Sequence, residues 1–129
     1  MTQQDVIKLN SVLLKIETEG KNISGEVWSS MSTIKYKIEP NYKAIIEGRD
    51  KVLEKYVEKD GKGWKVDDNK VDFVFKSDAA KDKYEEEMTP LLENKIEVSI
   101  ELIEKAKLNK ATFEGIKDIM LFFNYCVKK

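Results

Sequence analysis

The sequence predicts a mainly helical α+β fold: a long helix, kinked or broken near Pro40, packed with three shorter helices and a small antiparallel sheet of about three strands. Three observations predict it. Apolar residues recur at three- and four-residue spacing over long stretches at both ends of the chain, the mark of helices with one buried face. Short β-prone runs flank polar turns in the middle, as in a hairpin. The 129 residues fit one domain of roughly 100–150 residues, so one core and a single domain over 1–129 are expected.

The first helix covers Thr2 to Glu19, with Val6, Leu9, Val12, Leu13 and Ile16 as its stripe. Thr2 or Asp5 caps its start, and Gly20 stops it by taking a left-handed backbone. A second helical pattern runs from about Val27 to Glu58, with Val27, Met31, Ile34, Ile38, Ile45, Val52 and Tyr56 on a nearly heptad rhythm. Glu47 and Lys51 have ion-pair spacing on it. Pro40 removes one helical hydrogen bond, at about 3 kcal/mol. The rhythm stays in phase across it, which favours a kink over a break.

Lys59-Asp60-Gly61-Lys62-Gly63 reads as a stop and turn. Trp64-Lys65-Val66 and Val71-Asp72-Phe73-Val74-Phe75 flank Asp67-Asp68-Asn69-Lys70 and predict a hairpin. Ser77 and Asp78 cap a third helix from Ala79 to about Met88, ending before Pro90, with Ala80, Tyr84 and Met88 inward and Glu85-Glu86-Glu87 outward. Lys95 to Glu101 alternates Ile96, Val98, Ile100 and Leu102 with Glu97, Ser99 and Glu101, the strongest strand pattern in the chain, and is expected to join the hairpin. A closing helix from Phe113 to about Val127, capped by Thr112, carries Phe113, Ile116, Met120, Phe123 and Val127 as its stripe, with Phe122, Tyr125 and Cys126 widening the apolar face.

Composition narrows the chemistry. With 23 Lys+Arg against 24 Asp+Glu the net charge is −1, which argues against a broad nucleic-acid footprint. The hydrophobic fraction of 41% argues against disorder. There is no apolar run of the roughly 20 residues that span a bilayer, and Met1 to Leu9 lacks the pattern of a secretory signal. One cysteine, Cys126, permits no internal disulfide and fits a reducing compartment. There is no histidine, so Ser-His and Cys-His nucleophiles are excluded, as are zinc sites built from several Cys and His. The expectation is a non-enzymatic protein with no cofactor, no metal, no nucleic-acid partner and no membrane partner.

Candidate sites are correspondingly few. Glu85, Glu86 and Glu87 with Asp82 form the densest acidic patch, but neighbouring helical residues point about 100° apart and do not converge. Asp67-Asp68-Asn69 with Asp72 lacks the glycine and glutamate of a calcium loop. Gly61-Lys62-Gly63 lacks the spacing and the Ser/Thr of a phosphate loop. Asn22-Ile23-Ser24 spells a glycosylation triplet, with no export signal before it. Cys126 among Phe122, Phe123 and Tyr125 reads as core. Trp28 and Trp64 each flank a loop at an element boundary, where tryptophan serves either as a binding hot spot or as a cap on the core. Arg49, the sole arginine, is either a bidentate anchor or an ordinary partner of Glu47 or Asp50. Trp28, Arg49, Trp64, Glu85 and Glu86 are thus the candidate interaction residues.

The stretches Lys35-Tyr36-Lys37-Ile38-Glu39-Pro40, Glu47 to Tyr56, and Glu58-Lys59-Asp60-Gly61, followed by a glutamate-rich helix, the alternating Glu93-Asn94-Lys95-Ile96-Glu97-Val98 and a closing apolar helix, resemble a family of small uncharacterised phage and prophage proteins. The likeness covers most of the chain. It departs at Phe122-Phe123-Asn124-Tyr125, where the family's tail is more acidic. The resemblance implies a phage-encoded protein acting in the virion or the host bacterial cytoplasm, and implies no catalytic residue. Three functions are weighed: foremost a virion or tail-assembly component binding a phage structural protein, alternatively an inhibitor of a host antiviral defence protein, and last a carboxylate-metal hydrolase, which needs no histidine. Heptad-like helices also predict self-association into a dimer or larger homo-oligomer.

Overall fold

The first helix, α1 (Gln3–Glu19), starts on a reciprocal cap: the Thr2 hydroxyl accepts from the Asp5 N–H at 3.1 Å, and the Asp5 carboxylate accepts from the Thr2 N–H at 3.0 Å. This satisfies two helix-end donors at once. The Asp5 carboxylate also accepts from the Tyr125 hydroxyl at 2.8 Å. Burial alone pushes the Asp5 carboxyl up, but the hydrogen bonds from Thr2 and Tyr125 outweigh it and hold the pKa below its ordinary 3.8. A depressed carboxyl stabilises the fold above its unfolded pKa and loses that contribution as pH falls through the folded value. Asp5→Asn is therefore expected to flatten the loss of stability below pH 3.8, read by thermal unfolding at stepped pH.

Gly20 ends α1 in an extended conformation, φ −67° and ψ 144°, not in the left-handed one expected; the left-handed residue is Asn22, at φ 57°. Glycine is needed at position 20 for space. A Cβ there would lie 2.6 Å from the Ile16 carbonyl oxygen and 2.6 Å from Ile23 Cδ1. Gly20→Ala is expected to cost about 1–3 kcal/mol as overpacking, measured by urea unfolding.

The next helix, α2 (Gly25–Tyr56), has 32 residues and contains Pro40. It begins with the Val27 N–H donating to the Ser24 hydroxyl at 3.3 Å. It is one helix on both sides of the proline, as the in-phase rhythm predicts. The turn that loses its hydrogen bond carries Tyr36, 76% exposed, so water reaches it, while Ile34, Ile38 and Ile45 keep the opposite face buried. The i,i+4 ion pair found on α2 among the described residues is Glu39–Lys43 at 3.1 Å, not Glu47–Lys51.

The structure, a computed structural model, describes residues 1–69 and 72–129. The chain forms two compact units, Met1–Lys43 with Lys95–Lys129, and Ala44–Asn94. Each holds its own apolar cluster, where the chain length predicts one core. In the first unit α1 contributes Leu9, Val12, Leu13 and Ile16, and α2 contributes Val27, Met31, Ile34 and Ile38. These two helices are joined by a loop of five residues and also linked by Lys35–Glu17 at 2.9 Å.

The same cluster is closed by the C-terminal part of the chain, which holds a short 3-10 helix (Lys105–Leu108) and a final helix. That helix is shorter than the sequence predicts. Thr112 does not cap it but pairs its backbone with Lys21, and Gly115 (φ 79°) and Asp118 (φ 60°) turn the chain through left-handed positions. The helix begins only at Ile119 and ends at Cys126. Its phase is set by Phe122 and Cys126, both wholly buried, which leaves Met120 63% exposed and outside the stripe. Desolvation pushes the Cys126 thiol up to about 12, consistent with a core residue.

The second unit holds the rest of α2, a two-stranded antiparallel sheet and one more helix. Strands β1 (Lys59–Asp60) and β2 (Gly63–Trp64) close on Gly61-Lys62, with Gly61 at φ 64° supplying the positive φ that such a tight turn uses. The expected three-stranded sheet is thus a two-stranded one. The expected hairpin of Trp64–Val66 with the run to Phe75 survives as a single bridge, Val66 with Phe73, with the Val74 N–H donating to the Lys65 carbonyl at 2.9 Å; Phe75 bridges instead to Val57, just past the end of α2. Lys70, the last residue of its loop, and Val71, the first of its second run, lie outside the described residues. Lys76 closes the α2 C-terminus: its ammonium donates to the Glu54 carbonyl at 2.8 Å and its N–H to the Tyr56 carbonyl at 2.9 Å.

The helix of this unit, α3 (Asp78–Glu93), is capped by the Ser77 hydroxyl, which accepts from the Ala80 N–H at 3.1 Å. It does not stop before Pro90 but runs one turn further, because Leu91 and Leu92 pack on the cluster of Val52, Leu53, Val57 and Met88. Ala80 and Met88 are buried and Tyr84 half-buried, the inward stripe the spacing predicts.

Lys95 to Glu101 is not a ladder strand. The burial alternates as predicted through Ile100, with Ile96, Val98 and Ile100 half-buried and Glu97, Ser99 and Glu101 exposed, so the pattern there reports an extended chain with one face on the core; Leu102, expected on that face, is instead 45% exposed. A ladder also needs a neighbour. Among the described residues the bridges of this stretch lie at its ends, Thr2 with Lys95 and Ile103 with Val127, and none joins it to the hairpin segments.

Candidate functional site

The five candidate residues are divided between the two units. Trp28 belongs to the first unit, at the start of α2, and lies half-buried against its cluster. Arg49, Trp64, Glu85 and Glu86 belong to the second. Trp64 is half-buried against the second cluster, with the Lys59 ammonium 5.6 Å from its ring centre, within cation–π range. Both tryptophans therefore cover core edges while keeping some surface open.

Arg49 is half-buried on α2. Among the described residues it makes no ion pair with Glu47 or Asp50, and its buried Nε has no hydrogen-bond partner. Its charge is felt at Tyr84, whose hydroxyl burial pushes up and Arg49 draws partly back, leaving the pKa above its ordinary value. Glu85 and Glu86 are exposed on α3. The next residue, Glu87, accepts from the Tyr56 hydroxyl at 2.7 Å and from the Lys55 ammonium at 3.4 Å. The Tyr56 bond is the main reason its carboxyl titrates below the usual range. The three glutamates thus divide: one ties α3 to the end of α2, and two face solvent.

Glu85 borders a feature the residue patterns did not single out. Phe73 and Phe75 pack on Tyr84 with ring centres 6.3 and 5.1 Å apart, in edge-on and tilted arrangements, the geometry aromatic quadrupoles favour. All three rings are half-buried. They floor a surface groove rimmed by Asp72, Lys81 and Glu85. The available signal was the two-residue spacing of Phe73 and Phe75, which puts both rings on one face of an extended chain, with Tyr84 on the inward stripe of the following helix. An open aromatic floor with a charged rim has the composition of a protein-binding patch.

The first unit offers a different surface, a hydrophilic hollow lined by Glu26, Ser29, Ser30, Thr33, Glu101 and Lys107, among others. Lys107 is already engaged, 2.6 Å from Glu26, and that hydrogen bond raises its pKa. Among the described residues no helix is long and apolar enough to cross a membrane. Compared with known proteins, the chain matches no family model, no curated protein and no solved structure.

Proposed function

We propose that this is a non-enzymatic, phage-encoded interaction protein, foremost a virion or tail-assembly component, acting in the virion or the host bacterial cytoplasm. The observation that carries the binding reading is the aromatic groove of the second unit, where Phe73, Phe75 and Tyr84 keep ring surface open beneath the charges of Asp72, Lys81 and Glu85. Closing such a surface releases water from aromatic area, while the rim selects the partner by charge. Phage context is supported by the resemblance of the Lys35–Gly61 stretch and the helices that follow.

Quantitative mass spectrometry of purified particles tests the assignment. The expected result is this chain at a fixed, stoichiometric copy number per particle. Its absence from particles, with copurification of one host protein, would replace the structural role by that of a defence inhibitor.

A further inference from the structure

The segment from Lys95 to Glu101 has an open backbone edge. Ile96 uses both of its backbone groups on Met1: its N–H donates to the Met1 carbonyl at 2.8 Å, and its carbonyl accepts from the Met1 ammonium at 3.2 Å. In an extended chain successive residues aim their backbone groups to opposite sides. Lys95, Glu97, Ser99 and Glu101 therefore present theirs on the edge away from Met1. That edge closes at Ile103, whose N–H donates to the Cys126 carbonyl at 2.8 Å and whose carbonyl accepts from the Lys128 N–H at 2.9 Å. On the other side it begins where α3 ends, at Glu93. Among the described residues, 97–102 make no backbone hydrogen bond. The open stretch is thus 95–101, and its midpoint is Val98.

We infer that this edge pairs with the same edge of a second copy, antiparallel, with Val98 facing Val98 across the two-fold axis. An antiparallel register must set apolar residues opposite apolar ones to keep Ile96, Val98 and Ile100 on the core side. Among such registers, the one centred on Val98 puts Lys95 opposite Glu101 twice, Ile96 opposite Ile100 twice, and Glu97 opposite Ser99 twice. Centring on Glu97 or on Ser99 instead sets glutamate against glutamate, Glu97 on its own copy in the first case and Glu97 on Glu101 in the second. The Val98 register also matches the open edge at both limits, so that every free odd-numbered residue gains a partner. A self-complementary patch of this kind is what a two-fold interface requires, and pairing ends the exposure of an unpaired edge. The inference names one partner within the protein-binding reading and stands apart from the virion assignment, since the dimer is assayed on purified protein.

Light scattering on the full chain at rising concentration should show a dimer. Glu101→Lys, a change at an exposed position, sets lysine against lysine at both ends of the ladder and should weaken dimerisation about tenfold. Adding Lys95→Glu to it should restore the dimer. Val98→Cys should oxidise to a disulfide-linked dimer, because facing residues of a non-hydrogen-bonded pair lie about 4.5 Å apart at Cα. Ser99→Cys should not, its own copy being a diagonal neighbour about 7–8 Å away. A monomer at all concentrations overturns the inference, as does a dimer indifferent to Glu101→Lys, or cross-linking through position 99 and not 98. A monomer whose edge accepts a strand from another protein overturns it equally.

Discussion

Phe122→Ala is expected to lower the unfolding free energy by about 3–5 kcal/mol, the largest loss of any single truncation in the chain. Phe122 is wholly buried, and its ring sits 5.7 Å from Phe113 and 5.6 Å from Phe123, centre to centre. Truncation removes the ring's burial and leaves a cavity that three converging segments border: α1, α2 and the C-terminal helix all contribute to that cluster. The final helix spans only eight residues, too short to hold by itself, so its register depends on this side chain and on Cys126. Urea unfolding followed by far-UV circular dichroism reads the loss directly. A domain of this size has about 5–15 kcal/mol in total, so the variant should be partly unfolded at moderate temperature. A loss below about 1 kcal/mol would mean that Phe122 is not the centre of this cluster.

Leu53→Ala is expected to cost about 2–5 kcal/mol by the same measurement, with its effect read in the second unit. Leu53 is fully buried among Val52, Val57 and Met88. That cluster has few wholly buried members, so little else compensates for a cavity there. Hydrogen exchange should show faster opening of α3 and of the β1–β2 hairpin, whose Trp64 packs on the same cluster. Unchanged exchange over residues 78–93 would contradict the assignment of Leu53 to the packing that holds α3.

Helical periodicity was the most legible signal because one buried stripe per helix is a local property. Val6 to Ile16 and Val27 to Ile45 are buried in the phase the spacing predicts. Ends were harder to read where they depend on distant partners. Thr112 looks like a cap until Lys21 takes its backbone, and Pro90 looks like a stop until Leu91 and Leu92 find the second cluster. Alternation over Ile96–Ile100 reports one face on the core but fails at the exposed Leu102, and it carries no information about a neighbouring strand, so it does not by itself specify a ladder. The glutamates of α3 were visible as an exposed run. The aromatic groove beside Glu85 is legible only in part: spacing sets Phe73 and Phe75 on one face and Tyr84 on an inward stripe, but that the three rings meet is a contact across segments that periodicity does not report.

We propose that the groove of Phe73, Phe75 and Tyr84 is the surface this protein offers to another protein. Reversing two exposed rim charges together, Lys81→Glu with Glu85→Lys, tests it most directly, because neither side chain belongs to a buried cluster. The measurement is incorporation into purified particles, with unchanged circular dichroism and melting temperature as the control for folding. Like-charge contact at an interface costs several kcal/mol, so incorporation is expected to fall about tenfold or more. Incorporation equal to that of the unaltered chain would contradict the account.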